Sequence, residues 1–177
     1  RRMDVWRTEG TASTSYEEAV SNDSDSDIKE FLDSWYEKNL LNDYSKYLSD
    51  NIFCNDRTAP GKDVSLNTND TGLGFGTNFT MFGGSTRNGF STPPKPKISC
   101  SNKNDSFTVS DNEKGNGALK YPVGLITSDE ALISGSCHFR STSANTNSFL
   151  YKGMWYWTQT PSYFSARGFG TVVNSNG

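Results

Sequence analysis

One histidine, His138, and three cysteines, Cys54, Cys100 and Cys137, leave this 177-residue chain few of the side chains that hold metals. No two cysteines form a CxxC pair, so a structural zinc site is all but excluded, and neither a metal nor a cofactor is expected. Net charge is only −3 with both signs interspersed, and no run of Lys or Arg tracks a helix face or brackets aromatics. That pattern argues against nucleic acid and against an anionic membrane surface as partners. No apolar stretch approaches the roughly 18 residues that span a bilayer, so no membrane insertion is expected within the chain. A signal peptide and an initiator Met are missing too, and the opening at Arg1 reads as a processed product or an excised piece. Recognisable catalytic spacing is also missing. His138 has no GxSxG partner and no patterned acid nearby, so an enzyme is not expected.

Aromatics are what the chain does have. Hydrophobic residues reach only 33%, yet 13% of the chain is aromatic, with 4 Trp, 8 Tyr and 11 Phe. Disordered chains are poor in aromatics, and each ring buries a large area, so the composition predicts one folded domain with an aromatic core. Ser, Thr, Asn and Gly fill the remainder, as in β-rich extracellular modules. Such a composition favours one disulfide plus a leftover thiol over three reduced thiols. Cys54 and Cys100 are the favoured pair, because both end patterned segments, Asn51–Cys54 and Lys97–Cys100, whereas Cys137 lies in a polar stretch.

Along the chain, Arg2–Arg7 reads as a short strand and Glu9–Ser15 as a connector. Asn22–Asp27 is an acidic, serine-rich lead-in suited to capping a helix. Ile28, Phe31, Leu32, Trp35 and Tyr36 follow at helical spacing, and Tyr44–Leu48 makes a second helical turn. Asp56–Pro96 is an extended excursion with Phe75, Phe79, Phe82 and Phe90 as anchors, too long for an idle loop. Phe107 and Val109 mark a short strand, and Tyr121–Ile126 is a candidate buried strand. Thr127 and Glu130 then form a capping box, with Gly135 as the stop. Phe149–Tyr151 and Met154–Thr158 read as a hairpin around Lys152–Gly153, and Gly168–Val173 as a final strand.

Several patterns that could carry chemistry have simpler readings. Asp23, Asp25 and Asp27 suggest a calcium loop, but its sixth and twelfth positions would be Ile28 and Ser34, so a helix lead-in is favoured. Gly72, Gly74 and Gly76 lack the preceding strand and following Lys of a phosphate loop. Sequons at Asn22, Asn69, Asn78 and Asn104 are expected by chance in an Asn/Ser/Thr-rich chain. Trp155 and Trp157 share one face of a strand, either as core or as a platform for a sugar or peptide, and core is favoured.

The stretch Tyr121-Pro-Val-Gly-Leu-Ile-Thr-Ser-Asp-Glu-Ala131, a variable loop, then Phe149-Leu-Tyr-Lys-Gly-Met-Trp-Tyr-Trp-Thr-Gln-Thr-Pro-Ser162 resembles uncharacterised surface domains of Firmicutes. Their pattern is roughly YPVGLITADE…YYLYxGxYYWTxSP. Ile28-Lys29, Trp35-Tyr36, Tyr44–Leu48, Ile52-Phe-Cys-Asn-Asp-Arg57 and Asp105-Ser-Phe-Thr-Val109 extend the resemblance over nearly the whole chain. The resemblance implies an α+β, C-type lectin-like (formylglycine-generating-enzyme-like) fold: a small twisted antiparallel sheet, two main helices and long loops. It implies a single domain over residues 1–177 on the surface of a Gram-positive bacterium. It also supports Cys54 with Cys100, both of which fall where the family has cysteine, while Cys137 sits in the variable loop. The family's strands before Arg2 and after Gly177 have no counterpart here, which would leave an open sheet edge able to pair with another chain. No catalytic cysteine pair carries over from the enzymes of the same fold.

Together these readings lead to an extracellular module that holds a glycan or protein ligand through loops. Phe79, Phe90, His138, Arg140, Tyr163 and Arg167 are the candidate contacts, because loops on a rigid scaffold usually carry binding. The alternative is a structural subunit of a surface fibre or pilus, self-assembling through sheet edges.

Overall fold

A computed structural model describes residues 20–58, 79–90, 93–100, 102–135, 147–151, 156–165 and 171–174. The strand expected at Arg2–Arg7, the glycines at 72, 74 and 76, Cys137 and the Lys152–Gly153 turn lie outside them.

Helix α1 spans Asp27–Asn39. Its start is written locally: the Ser26 hydroxyl accepts from the Lys29 amide at 3.3 Å, and Asp27 and Glu30 place negative charge at the positive end of the helix dipole. Asp23 and Asp25 therefore lead into a helix. The face it buries differs from the expected one. Lys29, Asp33 and Tyr36 point inward, Lys29 fully buried and ion-paired to Asp33, while Phe31 is 64% and Trp35 44% exposed. Contacts at its C-terminal half account for this rotation. Tyr36 stacks on Tyr121 with ring centroids 4.8 Å apart, and Glu37 accepts at 2.6 Å from both Lys120 Nζ and Tyr121 Oη. A 3-10 turn at Ser45–Tyr47 follows, within the second helical turn expected there.

Strands β1 (Phe53–Cys54) and, later, β3 (Ser106–Phe107) pair antiparallel with Phe53 opposite Phe107. Phe107 and Leu119 form a small buried cluster, flanked by Phe53, Val109 and Ala118. The excursion has internal order where it is described. Strand β2 (Phe79–Met81) leads through fully buried Phe82 into a helical turn α2 (Gly83–Ser85), which continues as a π-helical turn over Thr86–Phe90.

Tyr121–Ile126 is not a strand; it runs irregular and half-buried, with Pro122 and Gly124 interrupting any ladder. Helix α3 (Ser128–Ile133) carries the expected capping box: Thr127 Oγ1 accepts from the Glu130 amide at 3.0 Å and Glu130 Oε2 accepts from the Thr127 amide at 2.8 Å. Gly135, at φ +92°, turns the chain in the left-handed region just beyond the helix. Ser148–Leu150 is a turn, so the expected first arm of a hairpin is absent there.

Strand β4 (Trp157–Ser165) is the centre of a three-stranded antiparallel sheet ordered β2–β4–β5, with β5 at Thr171–Asn174. Pro161 in β4 cannot donate to the ladder, and the register shifts on both sides of it. The architecture is mixed α and β: two small antiparallel sheets, a few short helices, and long connections.

Candidate functional site

The two sheets and the excursion converge just after Cys54. Cys54 is disulfide-bonded to Cys100, Cα–Cα 5.4 Å, closing a 46-residue separation that contains the excursion. The sequence then runs Asn55-Asp56-Arg57, all buried, and its two charged side chains join different networks.

Arg57 is fully buried. Its Nε donates to Asp105 Oδ1 at 2.8 Å and its amide to Asp105 Oδ2 at 3.2 Å. Nη2 donates to Asn22 Oδ1 at 2.9 Å and to the Asn104 carbonyl at 3.2 Å. Burial pushes the Asp105 carboxyl above the usual carboxylate range, although Arg57 pulls it back.

Asp56 instead pairs with Arg87, which also grips Asp129 in two-pronged fashion, Nε to Oδ1 at 2.9 Å and Nη2 to Oδ2 at 2.8 Å. Burial raises the Asp56 carboxyl, but the Thr58 hydroxyl and Arg87 outweigh it and hold it below the usual range. The Lys97 amide donates to Asp129 Oδ1 at 2.7 Å, and the Gly83 amide to the Thr58 carbonyl at 2.7 Å. The helical turn α2 lies so close to β4 that a Cβ on Gly84 would come within 2.7 Å of the Thr160 methyl. On the other side, Ser128 donates its amide to Thr160 Oγ1 at 2.8 Å, and Gln159 Nε2 reaches the Cys54 carbonyl at 2.8 Å.

These contacts enclose a cleft of about 60 Å³ lined by Asp56, Arg87, Asp129, Lys97, Ile52 and Ile98, among others. Ile52 and Ile98 are exposed at its rim, 45% and 73%. The cleft has room for a few waters or one small polar group. Asp56 and Asp129 are both bound to Arg87, and Glu130, which also lines the cleft, accepts from Thr127, so the arrangement can present charge and hydrogen bonds. No cluster of three metal-ligating side chains occurs among the described residues. No described helix is long and apolar enough to cross a membrane.

Phe79 and Tyr163, expected on loops, stand instead on strands β2 and β4, because their segments pair into the three-stranded sheet, and neither lines this cleft. Register sets Tyr163 opposite Met81 and Phe79 opposite Ser165, so Phe79 and Tyr163 lie on neighbouring strands two ladder positions apart. Phe90 ends the π-helical turn. His138, Arg140 and Arg167 lie outside the described residues. Asp56, Arg87 and Asp129 were not expected as a group, since Arg87 is 31 residues from one partner and 42 from the other.

No family model matches the chain, and no curated protein or solved structure shows significant similarity to it.

Proposed function

We propose that the chain is a non-enzymatic extracellular recognition module of C-type lectin-like fold that binds a glycan or protein ligand through its long loops. The observation that carries this reading is the double anchoring of the excursion. The Cys54–Cys100 disulfide closes it, and the Asp56–Arg87–Asp129 ion pairs fasten residue 87 to both its start and helix α3. Loops held this way lose less conformational entropy on binding, which is the advantage of a preorganised recognition surface. The disulfide favours an oxidising, extracellular setting, and the engagement of Asp56 and Asp129 by Arg87 and of Glu130 by Thr127 favours binding over proton transfer.

Phe79, Phe90, His138, Arg140, Tyr163 and Arg167 remain the proposed contacts. A glycan array probed with the intact chain tests the reading. Binding should fall when Tyr163→Ala or Phe79→Ala is introduced; binding that survives both substitutions together with Phe90→Ala refutes it. The second reading, a subunit of a surface fibre on a Gram-positive cell, draws on β2 and β5 being the outer strands of the described sheet. Filaments seen by electron microscopy would favour it over the first.

A further inference from the structure

Arg87 does not commit its whole guanidinium to the two aspartates. Nε donates to Asp129 Oδ1, Nη2 to Asp129 Oδ2 and Nη1 to Asp56, which takes three of the five N–H donors and leaves two without an acceptor among the described residues. The side chain is 20% exposed, and the cleft is the space it borders. Glu130 lines the same cleft. Its Oε2 is held by the Thr127 amide and hydroxyl, while Oε1 takes no hydrogen bond among the described residues. Unused donors and an unused acceptor therefore border one space. Its mouth is apolar: Ile52 and Ile98 are exposed there, each two residues before a bridged cysteine, so the Cys54–Cys100 disulfide sets them on the same rim. One water-sized atom needs about 10–15 Å³, so about 60 Å³ takes roughly four non-hydrogen atoms.

An acetamido group has that size and that pattern, being a methyl, a carbonyl carbon, an oxygen and a nitrogen. Its oxygen can accept from Arg87 and its N–H can donate to Glu130 Oε1, while its methyl and the C–H face of an attached sugar ring can rest on the two isoleucines. Charge narrows the choice in the same direction. Asp56, Asp129 and Glu130 outnumber Arg87 and Lys97 around the cleft, which disfavours a carboxylate or phosphate. An ammonium ion would have to compete with Arg87 for Asp56 and Asp129. An amide inside a peptide carries chain at both ends, whereas an acetamido group ends in its methyl and fills a space of this size by itself. We propose that the cleft is a binding subsite for the acetamido group of an N-acetylated hexosamine. The proposal rests on the reading of the chain as a glycan-binding module, and it adds a place of contact apart from Phe79 and Tyr163.

Titration of the isotope-labelled intact chain with N-acetylglucosamine, glucose and glucosamine, followed by NMR up to about 50 mM sugar, tests it in the millimolar range expected of a single sugar unit. The amides of Lys97 and Asp129 should shift. N-acetylglucosamine should bind at least about tenfold tighter than glucose, which lacks the amide, and than glucosamine, which puts an ammonium in its place. Ile98→Ser, at an exposed position, should weaken binding about fivefold. Glu130→Gln, which keeps a side chain able to cap the helix, should weaken it about fivefold as well. Thermal melts of both variants separate lost binding from lost folding. Equal affinity for the three sugars, no shift at the cleft, or a folded Ile98→Ser chain that binds as well as the native one overturns the proposal. So does an acetylated dialanine amide that binds as tightly as the acetylated sugar. A glycan array that responds only to sugars without an acetamido group overturns it too, and leaves the recognition reading standing.

Discussion

Arg57 and Arg87 both carry a cation away from bulk water, and they do so under opposite conditions. Among the described residues, Arg57 is fully buried against one carboxylate and also donates to Asn22 and the Asn104 carbonyl; Arg87 keeps 20% of its side chain exposed and is shared by two carboxylates. The first is a structural rivet that joins residues around 22, 57 and 105. The second borders a cleft. A charge inside the protein costs several kcal/mol of hydration unless its geometry is complete, so the buried site tolerates loss of a partner least.

The largest effect is therefore expected at the rivet. Arg57→Ala leaves the Asp105 carboxylate buried without its cation and should cost about 3–5 kcal/mol of stability. Arg57→Met with Asp105→Leu removes both charges and should recover most of that loss. Urea unfolding of both variants checks this; equal losses in the single and double variants would mean that packing, not charge, governs the site. Arg87→Ala should cost less, about 2 kcal/mol, because Asp56 and Asp129 can rehydrate through the cleft. If Arg87→Ala proves the costlier of the two, the contrast drawn here is wrong.

Below that in size comes the close approach that carries Arg87 to its partners. Gly84→Ala forces a methyl into the Thr160 side chain, 2.7 Å from its Cγ2, and should cost about 1–3 kcal/mol, with Thr160→Ser relieving part of it. Thermal melts of the single and double variants measure the coupling.

Neither arginine site was legible in the sequence, and the reason is separation. Arg57 finds Asp105 48 residues away, and Arg87 finds Asp129 42 residues away, so no local spacing marks either pair. Features set within one turn were legible. The Thr127/Glu130 capping box and the serine-capped start of α1 needed only neighbours three residues apart. The existence of α1 followed from periodicity, but its inward face did not. Apolar spacing favoured Phe31 and Trp35, and the stack of Tyr36 on Tyr121, 85 positions away, fixed the rotation instead. Tyr121–Ile126 misled for a related reason: an apolar run signals burial, while Pro122 and Gly124 deny it the regular ladder of a strand. Cys54–Cys100 was legible because each of the two cysteines closes a patterned segment, whereas Cys137 lies in a polar stretch.

The smallest expected effect separates the two sites by the sign of their pH dependence. Asp56 is held below its usual range in the fold, so it binds a proton less readily folded than unfolded. Its stabilising contribution is present above the unfolded carboxyl value of about 3.9 and is lost as pH falls through the folded one. Asp105 is raised, so the folded state takes up its proton first, and acidification from neutral toward about 3.9 adds stability there. Measured against the native chain, Asp56→Asn should then become less costly as pH falls below about 4, whereas Asp105→Asn should become more costly between pH 7 and about 4. Urea midpoints of the three proteins across that range give the two slopes. Slopes of the same sign would show that Arg57 outweighs burial at Asp105, and the two arginines would then differ in exposure but not in how firmly they hold a carboxylate ionised.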